Sequence, residues 1–308
     1  MNRRGVLFTL VTFASIVTLA VGFRSWRPRK PEIVWGEKGT LAGRFVRPRA
    51  ATVDREGRIY IVDFTARIQS YDANGQHTGV TWQTPDYRNG RPSGLGTDRD
   101  GNILVADSHY HCVRIYDPSG NLLKTLGGQS GKEPGQFGYL SDCVQDADGF
   151  YYVSEFGQND RITKLDPDGK FVKTWGKSGL DEGEFQRVRS LAIGPDGLLY
   201  CADACNHRIQ VFTRDGDFVR SFGRAGSAPG EFSYPYDLAF NAAGELYVVE
   251  RGNMRVQKLT ATGTPIGVWG GPGAKPGELA DPWAIAVDHN GKLHIVDTEN
   301  HRVQRVNW

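Results

Sequence analysis

Six dipeptides sit at one recurring place in the chain, yet differ in chemistry each time: Arg49-Ala50, Ser93-Gly94, Ser141-Asp142, Arg189-Ser190, Tyr236-Asp237 and Trp283-Ala284. Each opens a short apolar strand after a proline or its equivalent. Gathered round one concavity, two arginines, two aspartates, a tyrosine and a tryptophan suit a polar or anionic ligand with a flat face. Guanidinium forks pair with anions, and aromatic faces stack. Arg49, Asp142, Arg189, Tyr236, Asp237 and Trp283 are therefore the candidate ligand-binding residues. The alternative is a solvated rim in which these arginines and aspartates pair with one another.

Other chemistry-bearing groups point less far. His109-Tyr110-His111-Cys112 places nitrogen and sulfur donors close together, as a metal site requires. However, His111, His207 and His301 share one position in three separate repeats. In a six-fold ring those repeats lie about 120° apart and cannot converge unless their loop sits at the axis. That loop is expected away from it, so no metal or other cofactor is expected. Gly127-Gly128-Gln129-Ser130-Gly131-Lys132 superficially suggests a phosphate loop, but Leu126 and Glu133 stand where the motif needs Gly and Ser or Thr. The four cysteines, Cys112, Cys143, Cys201 and Cys205, allow two disulfides or free buried thiols.

The elements that would position these residues are plain in the repetition. Apolar strands end in an acid at Asp63, Asp107, Glu155, Asp203, Glu250 and Asp297, spaced 44, 48, 48, 47 and 47 residues apart. A period near 47 suits one four-stranded propeller blade. In the fourth copy the strands fall at Arg189–Ile193, Leu198–Ala202, Arg208–Thr213 and Asp217–Phe222, with Asp-Gly turns in two of the connections. The second strands are apolar almost throughout, as a sheet covered on both faces requires. Each acid is expected to accept backbone N–H bonds in its loop and to pair with the arginine that follows, as Asp203 with Arg208. A linker of the form Trp-Gly…Gly…Gly-x-Phe joins most copies, its glycines allowing positive φ at the crossing. The sixth copy stops after three strands at Arg302–Trp308, while Glu32-Ile33-Val34-Trp35-Gly36 matches a fourth. The amino-terminal strand is thus expected to complete the last blade and close the ring.

Length and composition agree. A chain of 308 residues with 39 Gly, 15 Phe, 12 Tyr and 7 Trp is neither disordered nor collagenous. Residues 1–31 hold Arg3, Arg4, Arg24, Arg27, Arg29 and Lys30 and no acid. The remainder, with 31 basic against 35 acidic residues, is net negative, which argues against a nucleic-acid partner. Gly5 to Phe23 is an uncharged 19-residue stretch flanked by arginines. It reads as a hydrophobic helix, either a retained anchor or a cleaved signal, and both place the rest of the chain outside the cytoplasm. The expected organisation is a signal or transmembrane segment with a basic linker over 1–31 and a propeller over 32–308.

The segments Asp203-Ala204-Cys205-Asn206-His207-Arg208-Ile209-Gln210 and Asp297-Thr298-Glu299-Asn300-His301-Arg302-Val303-Gln304, with the glycine linker, resemble the NHL repeat. The resemblance covers residues 32–308 and implies an all-β, six-bladed β-propeller of four-stranded antiparallel blades. Three copies depart from it: Cys112 replaces the motif arginine, the third copy has an extra residue before Arg161, and the first is one residue short before Arg67. Members of that family include extracellular sensors, RNA- and protein-binding modules and a zinc-dependent amidating lyase, so fold leaves function open. The lyase resemblance implies zinc-binding histidines at the starts of the inner strands, which here carry other residues. The expected function is a non-catalytic, extracytoplasmic binding or sensing propeller, tethered to the membrane. Its partner would be a protein, a peptide, a glycan or a small anion. The rival is a metal-dependent propeller enzyme resembling the amidating lyase or the lactonases.

Overall fold

The computed structural model describes residues 30–85, 91–157 and 159–308. The apolar segment 5–23 and its expected helix lie outside the described residues. Among those that are described, no helix is long and apolar enough to cross a membrane.

Six four-stranded antiparallel sheets form the blades. Their inner strands are Ala50–Val53, Pro92–Thr97, Tyr139–Gln145, Val188–Ile193, Pro235–Phe240 and Pro282–Val287, in blades 1 to 6. The expected strands of blade 4 agree with those observed to within one residue at each end. The second strands, such as Ile103–Asp107 and Leu293–Asp297, are buried at every position, except for Phe156 at the end of Tyr151–Phe156. That matches their lack of alternation, because a neighbouring blade covers each face. The apolar core is accordingly divided into clusters that lie between successive blades. One joins Phe45, Ile59 and Tyr71 of blade 1 to Val296 and Val303 of blade 6.

Closure is by the amino-terminal strand. Ile33–Trp35 pairs antiparallel with Arg302–Val306, Val34 opposite Gln304. Glu32 ties the joint further, through its N–H to the Arg305 carbonyl at 2.8 Å and its carboxylate to Lys292 at 2.9 Å. Trp35 then lies directly on Gly75 in the outer hairpin of blade 1, so closely that a Cβ there would overlap the indole. The same packing recurs round the ring, with Trp82 on Gly120, Trp175 on Gly216 and Phe222 on Gly263. An outer-strand side chain of one blade covers a turn glycine of the next, and only glycine leaves the room.

The strand-ending acids are fully buried joints. Asp203 accepts from the Gln186 N–H at 2.8 Å and from Arg208 at 2.9 Å, and Arg208 goes on to cap the Glu184 carbonyl of the linker. For Asp203 the backbone donor comes from the residues leading into the inner strand, whereas Asp63 accepts from its own loop as expected, from the Thr65 N–H at 2.8 Å. Blade 2 repairs its missing arginine locally: Arg114, two residues beyond Cys112, reaches back to Asp107 at 3.0 Å. In blade 3 the extra residue shifts Arg161 to six positions after Glu155, and the pair still forms at 2.9 Å. All four cysteines are free thiols, Cys112, Cys143 and Cys201 buried and Cys205 partly so.

Candidate binding mouth

Each inner strand starts at the same face of the ring, so the six varying positions meet round one end of the central channel. Arg49, Asp142, Arg189, Tyr236, Asp237 and Trp283 all line a single small cavity of about 20 Å³ there, with Ser93 and Gly94. Below it the channel widens into a space of about 300 Å³ lined by the inner strands. Asp142 and Asp237 border both.

The two aspartates form the floor, and the structure commits their oxygens. Asp142 accepts from the N–H of Cys143 and, across the blade boundary, of Leu191, both at 2.9 Å. Asp237 accepts from the Leu238 N–H, from the Ser190 hydroxyl at 2.6 Å and from the Ile285 N–H of blade 6 at 2.8 Å. They are clamps between blades as well as walls of the mouth. Gly94 is what lets Asp142 in: a Cβ at that position would come within 2.7 Å of Asp142 Oδ1. Burial pushes the Asp142 carboxyl up to about 7, with Asp237 adding to it, and burial raises Asp237 to about 6.

Arg49 and Arg189 form no salt bridge to those aspartates, although both carboxyl groups act on Arg189 through space. Among the described residues, the Arg49 backbone N–H goes to the Val62 carbonyl at 2.8 Å, but the Arg49 and Arg189 guanidinium groups make no salt bridge and no hydrogen bond. Their Nε atoms are shut off from solvent and bonded to nothing. Arg189 is only 5% exposed, so it is a buried side chain and not a rim residue. Burial, together with Arg189 and Arg91 nearby, pulls Arg49 down to about 9; burial lowers Arg189 as well. A guanidinium stays charged at neutral pH. The downward pull comes first from burial, and on Arg189 the nearby Asp142 and Asp237 charges oppose it.

Aromatic rings hold these cations in place. Arg49 lies 4.6 Å from the Phe64 ring and 4.9 Å from Trp283. Arg189 lies 4.5 Å from Tyr236 and 5.6 Å from the same Trp283. The rings also touch, Phe64 to Trp283 at 5.7 Å and Trp283 to Tyr236 at 5.4 Å. Arg47 and Arg91 flank Phe64, and Arg251 flanks Tyr236. Trp283 is pinned by its indole N–H on Asp281, which also takes Arg251. The expected stacking of a ligand on Tyr236 and Trp283 is thus modified: guanidinium groups already lie over these rings, and the N–H edges remain for a ligand.

Phe64, Arg47, Arg91, Arg187 and Arg251 were absent from the residues expected at the mouth. The loop after the second strand packs on the mouth's side chains, Phe64 on Arg49 and Trp283 and Arg251 on Tyr236, but does not line the cavity itself. Its first residue is Phe64, Phe156 and Arg251 in blades 1, 3 and 5, but the small, buried Ser108, Ala204 and Thr298 in blades 2, 4 and 6. That alternation was a usable sign. So was the position two before the inner strand's varying pair, occupied by Arg47, Arg91, Tyr139, Arg187, Tyr234 and Asp281. Arg47, Arg187, Tyr234 and Asp281 adopt left-handed φ near 50–63°, a cost that non-glycine residues accept only when neighbours impose it. Here His301 accepts from Arg47 N–H at 2.9 Å, His207 from Tyr234 N–H at 3.1 Å and Asp160 from Arg187 N–H at 2.9 Å.

The shared histidines are therefore backbone clamps. His111 likewise contacts the Gly138 carbonyl at 2.7 Å and stacks on Tyr139. His109 packs on Tyr139, and burial with the nearby Arg49 charge holds it below its ordinary value. Among the described residues no three His, Cys, Asp or Glu side chains gather as metal ligands. The residues at the inner-strand starts do not fit a zinc site of the amidating-lyase kind.

A family model for the NHL repeat matches residues 89–116, 185–212, 232–259 and 279–306. These are the first three strands of blades 2, 4, 5 and 6; the short blade 1 and the enlarged blade 3 go unmatched. The chain is 36% identical over 129 residues to the peptidylglycine alpha-amidating monooxygenase of Rattus norvegicus, covering 39% of this chain and 13% of the relative. It is 27% identical over 126 residues to NHL repeat-containing protein 3 of Mus musculus, covering 38% of this chain and 36% of the relative. The chain thus spans a small part of these relatives. Among solved structures, a streptogramin B lyase superposes with a TM-score of 0.63 at 12% identity, covering 89% of this chain and 97% of the other. A gluconolactonase from Xanthomonas campestris gives 0.65 at 14% identity, covering 85% and 87%. At such identities the likeness is one of fold.

Proposed function

The chain is an NHL-repeat six-bladed β-propeller, and from that premise we propose that it is a non-catalytic binding module whose channel mouth takes an anionic ligand. One observation carries the reading: Arg49, half-buried, and Arg189, buried, converge on the mouth with unbonded Nε atoms and no salt bridge among the described residues. Proteins seldom keep charges buried and unpaired, because leaving one uncompensated costs several kcal/mol. A bound anion supplies the missing partner. The arginine-flanked apolar stretch from Gly5 to Phe23 supports a location outside the cytoplasm, tethered at the membrane.

The test is a binding screen of peptides, glycans and small anions against the full chain, repeated on the Arg49→Leu/Arg189→Leu variant. Anionic compounds that bind the parent and not the variant support the reading. Hits that bind both equally reject it. Location is tested separately by reporters fused after Trp308: a periplasm-active reporter should work, and activity from a cytoplasm-active one alone would reject export.

A further inference from the structure

We propose that the anionic group this mouth takes is a tetrahedral oxyanion, a phosphate or sulfate ester, and not a carboxylate; the inference rests on the anion-binding reading above. Arg49 comes from blade 1 and Arg189 from blade 4, opposite blades of the ring. Both guanidinium groups lie within 5.6 Å of the one Trp283 ring and border the same cavity. They therefore address one point from two sides. A carboxylate is planar, and a single guanidinium fork uses both its oxygens in a bidentate pair. The second arginine would then have to share those same two oxygens. A tetrahedral oxyanion carries oxygens out of any one plane and can present a different pair to each fork.

Charge points the same way. Arg49, Arg91, Arg187 and Arg189 have no ion-pair partner among the described residues, and Arg189 and Arg91 both bear on Arg49. A phosphate monoester brings about −1.5 to −2 at neutral pH, where a carboxylate brings a single charge. Asp142 and Asp237 act on Arg189 only through space, their oxygens accepting backbone and Ser190 hydrogen bonds. Size agrees too. About 20 Å³ is room for one water-sized group, such as a single oxygen of the anion, and not for the body of a ligand. The remainder would lie above, near the exposed rings of Tyr139 and Tyr234.

The experiment is calorimetric titration of the full-length chain with inorganic phosphate, sulfate and acetate, followed by glycerol 3-phosphate and a sulfated monosaccharide. Phosphate or sulfate should bind at least tenfold tighter than acetate, and whichever ester binds names the source. Arg189→Lys keeps the charge but loses the fork, and should weaken oxyanion binding at least tenfold. Arg49→Leu/Arg189→Leu should abolish it. Should the double variant fail to fold, Arg189→Lys decides alone. Acetate binding as tightly as phosphate, with the same dependence on both arginines, overturns the tetrahedral assignment and leaves the anion-binding reading standing. Oxyanion binding that is unchanged in the folded double variant overturns both.

Discussion

Removal of Glu32–Gly36, joining residue 31 to residue 37, attacks the ring where the chain's two ends meet. The deletion takes out the strand paired with Arg302–Val306 and leaves one face of that ladder's N–H and C=O groups open. It also removes Trp35, which is 8% exposed and packs on Tyr71 at 4.5 Å and Phe45 at 5.8 Å. Truncating a buried tryptophan costs about 3–5 kcal/mol, and each backbone bond lost adds about 0.5–1.5 kcal/mol. The Glu32 pairs to Lys292 and Arg305 are half-exposed and add little. The total is roughly 5–10 kcal/mol, comparable with the whole stability of an ordinary domain of 5–15 kcal/mol. The deleted protein should aggregate or melt far below the parent in a calorimetric scan. Trp35→Ala alone should lower Tm by roughly 6–20 °C, at about 2–4 °C per kcal/mol for a large domain. A deletion variant melting within 2 °C of the parent would refute the strand's role in closure.

Three further outcomes follow from individual joints. Gly94→Ala forces a methyl group against the Ser141 carbonyl and Asp142, and should cost about 1–3 kcal/mol by overpacking in urea titrations; no loss would mean the blades are not locked there. Arg208→Ala leaves the fully buried Asp203 carboxylate without its cation, and should cost about 3–5 kcal/mol, whereas loss under 1 kcal/mol would make the motif arginine decorative. Asp142 and Asp237 have folded pKa values raised to about 7 and about 6, above those of an unfolded carboxyl. The folded state then binds more protons, and stability from this pair falls as pH rises from about 4 to about 7. Relative to Asp142→Asn/Asp237→Asn, the parent should lose Tm across that window. Anion binding at the mouth should also weaken, since Arg189 and Arg49 then face ionised neighbours, with Arg47, Arg91, Arg187 and the Arg251–Asp281 pair also at the mouth. A parent-minus-variant difference flat with pH would contradict the pair's titration.

Most of the fold was legible because a propeller writes itself as a repeat. The acid that ends each second strand, its arginine and the Asp-Gly turns recur because each blade solves the same local problem. Even the joint between the ends could be read, since Trp35-Gly36 copies Trp175-Gly176. The mouth was legible in part, for the same reason inverted: Arg49, Arg189, Tyr236 and Trp283 stand where the repeat leaves the side chain free. What could not be read was which groups satisfy one another. Asp142 and Asp237 pair with backbone N–H groups of other blades, contacts spanning 48 or 49 residues that no local pattern encodes. Phe64 and Arg251 were missed because the loop that carries them was expected to sit away from the axis. The thiols stayed open in the sequence because pairing depends on distances between strands.

The most direct test of an anion site at the mouth is crystallographic. Crystals of the chain soaked in selenate should show one anomalous peak inside the channel mouth, within hydrogen-bonding distance of Arg49 and Arg189 and above Asp142 and Asp237. Selenate bound only at exposed surface arginines, with the mouth holding none, would contradict the account.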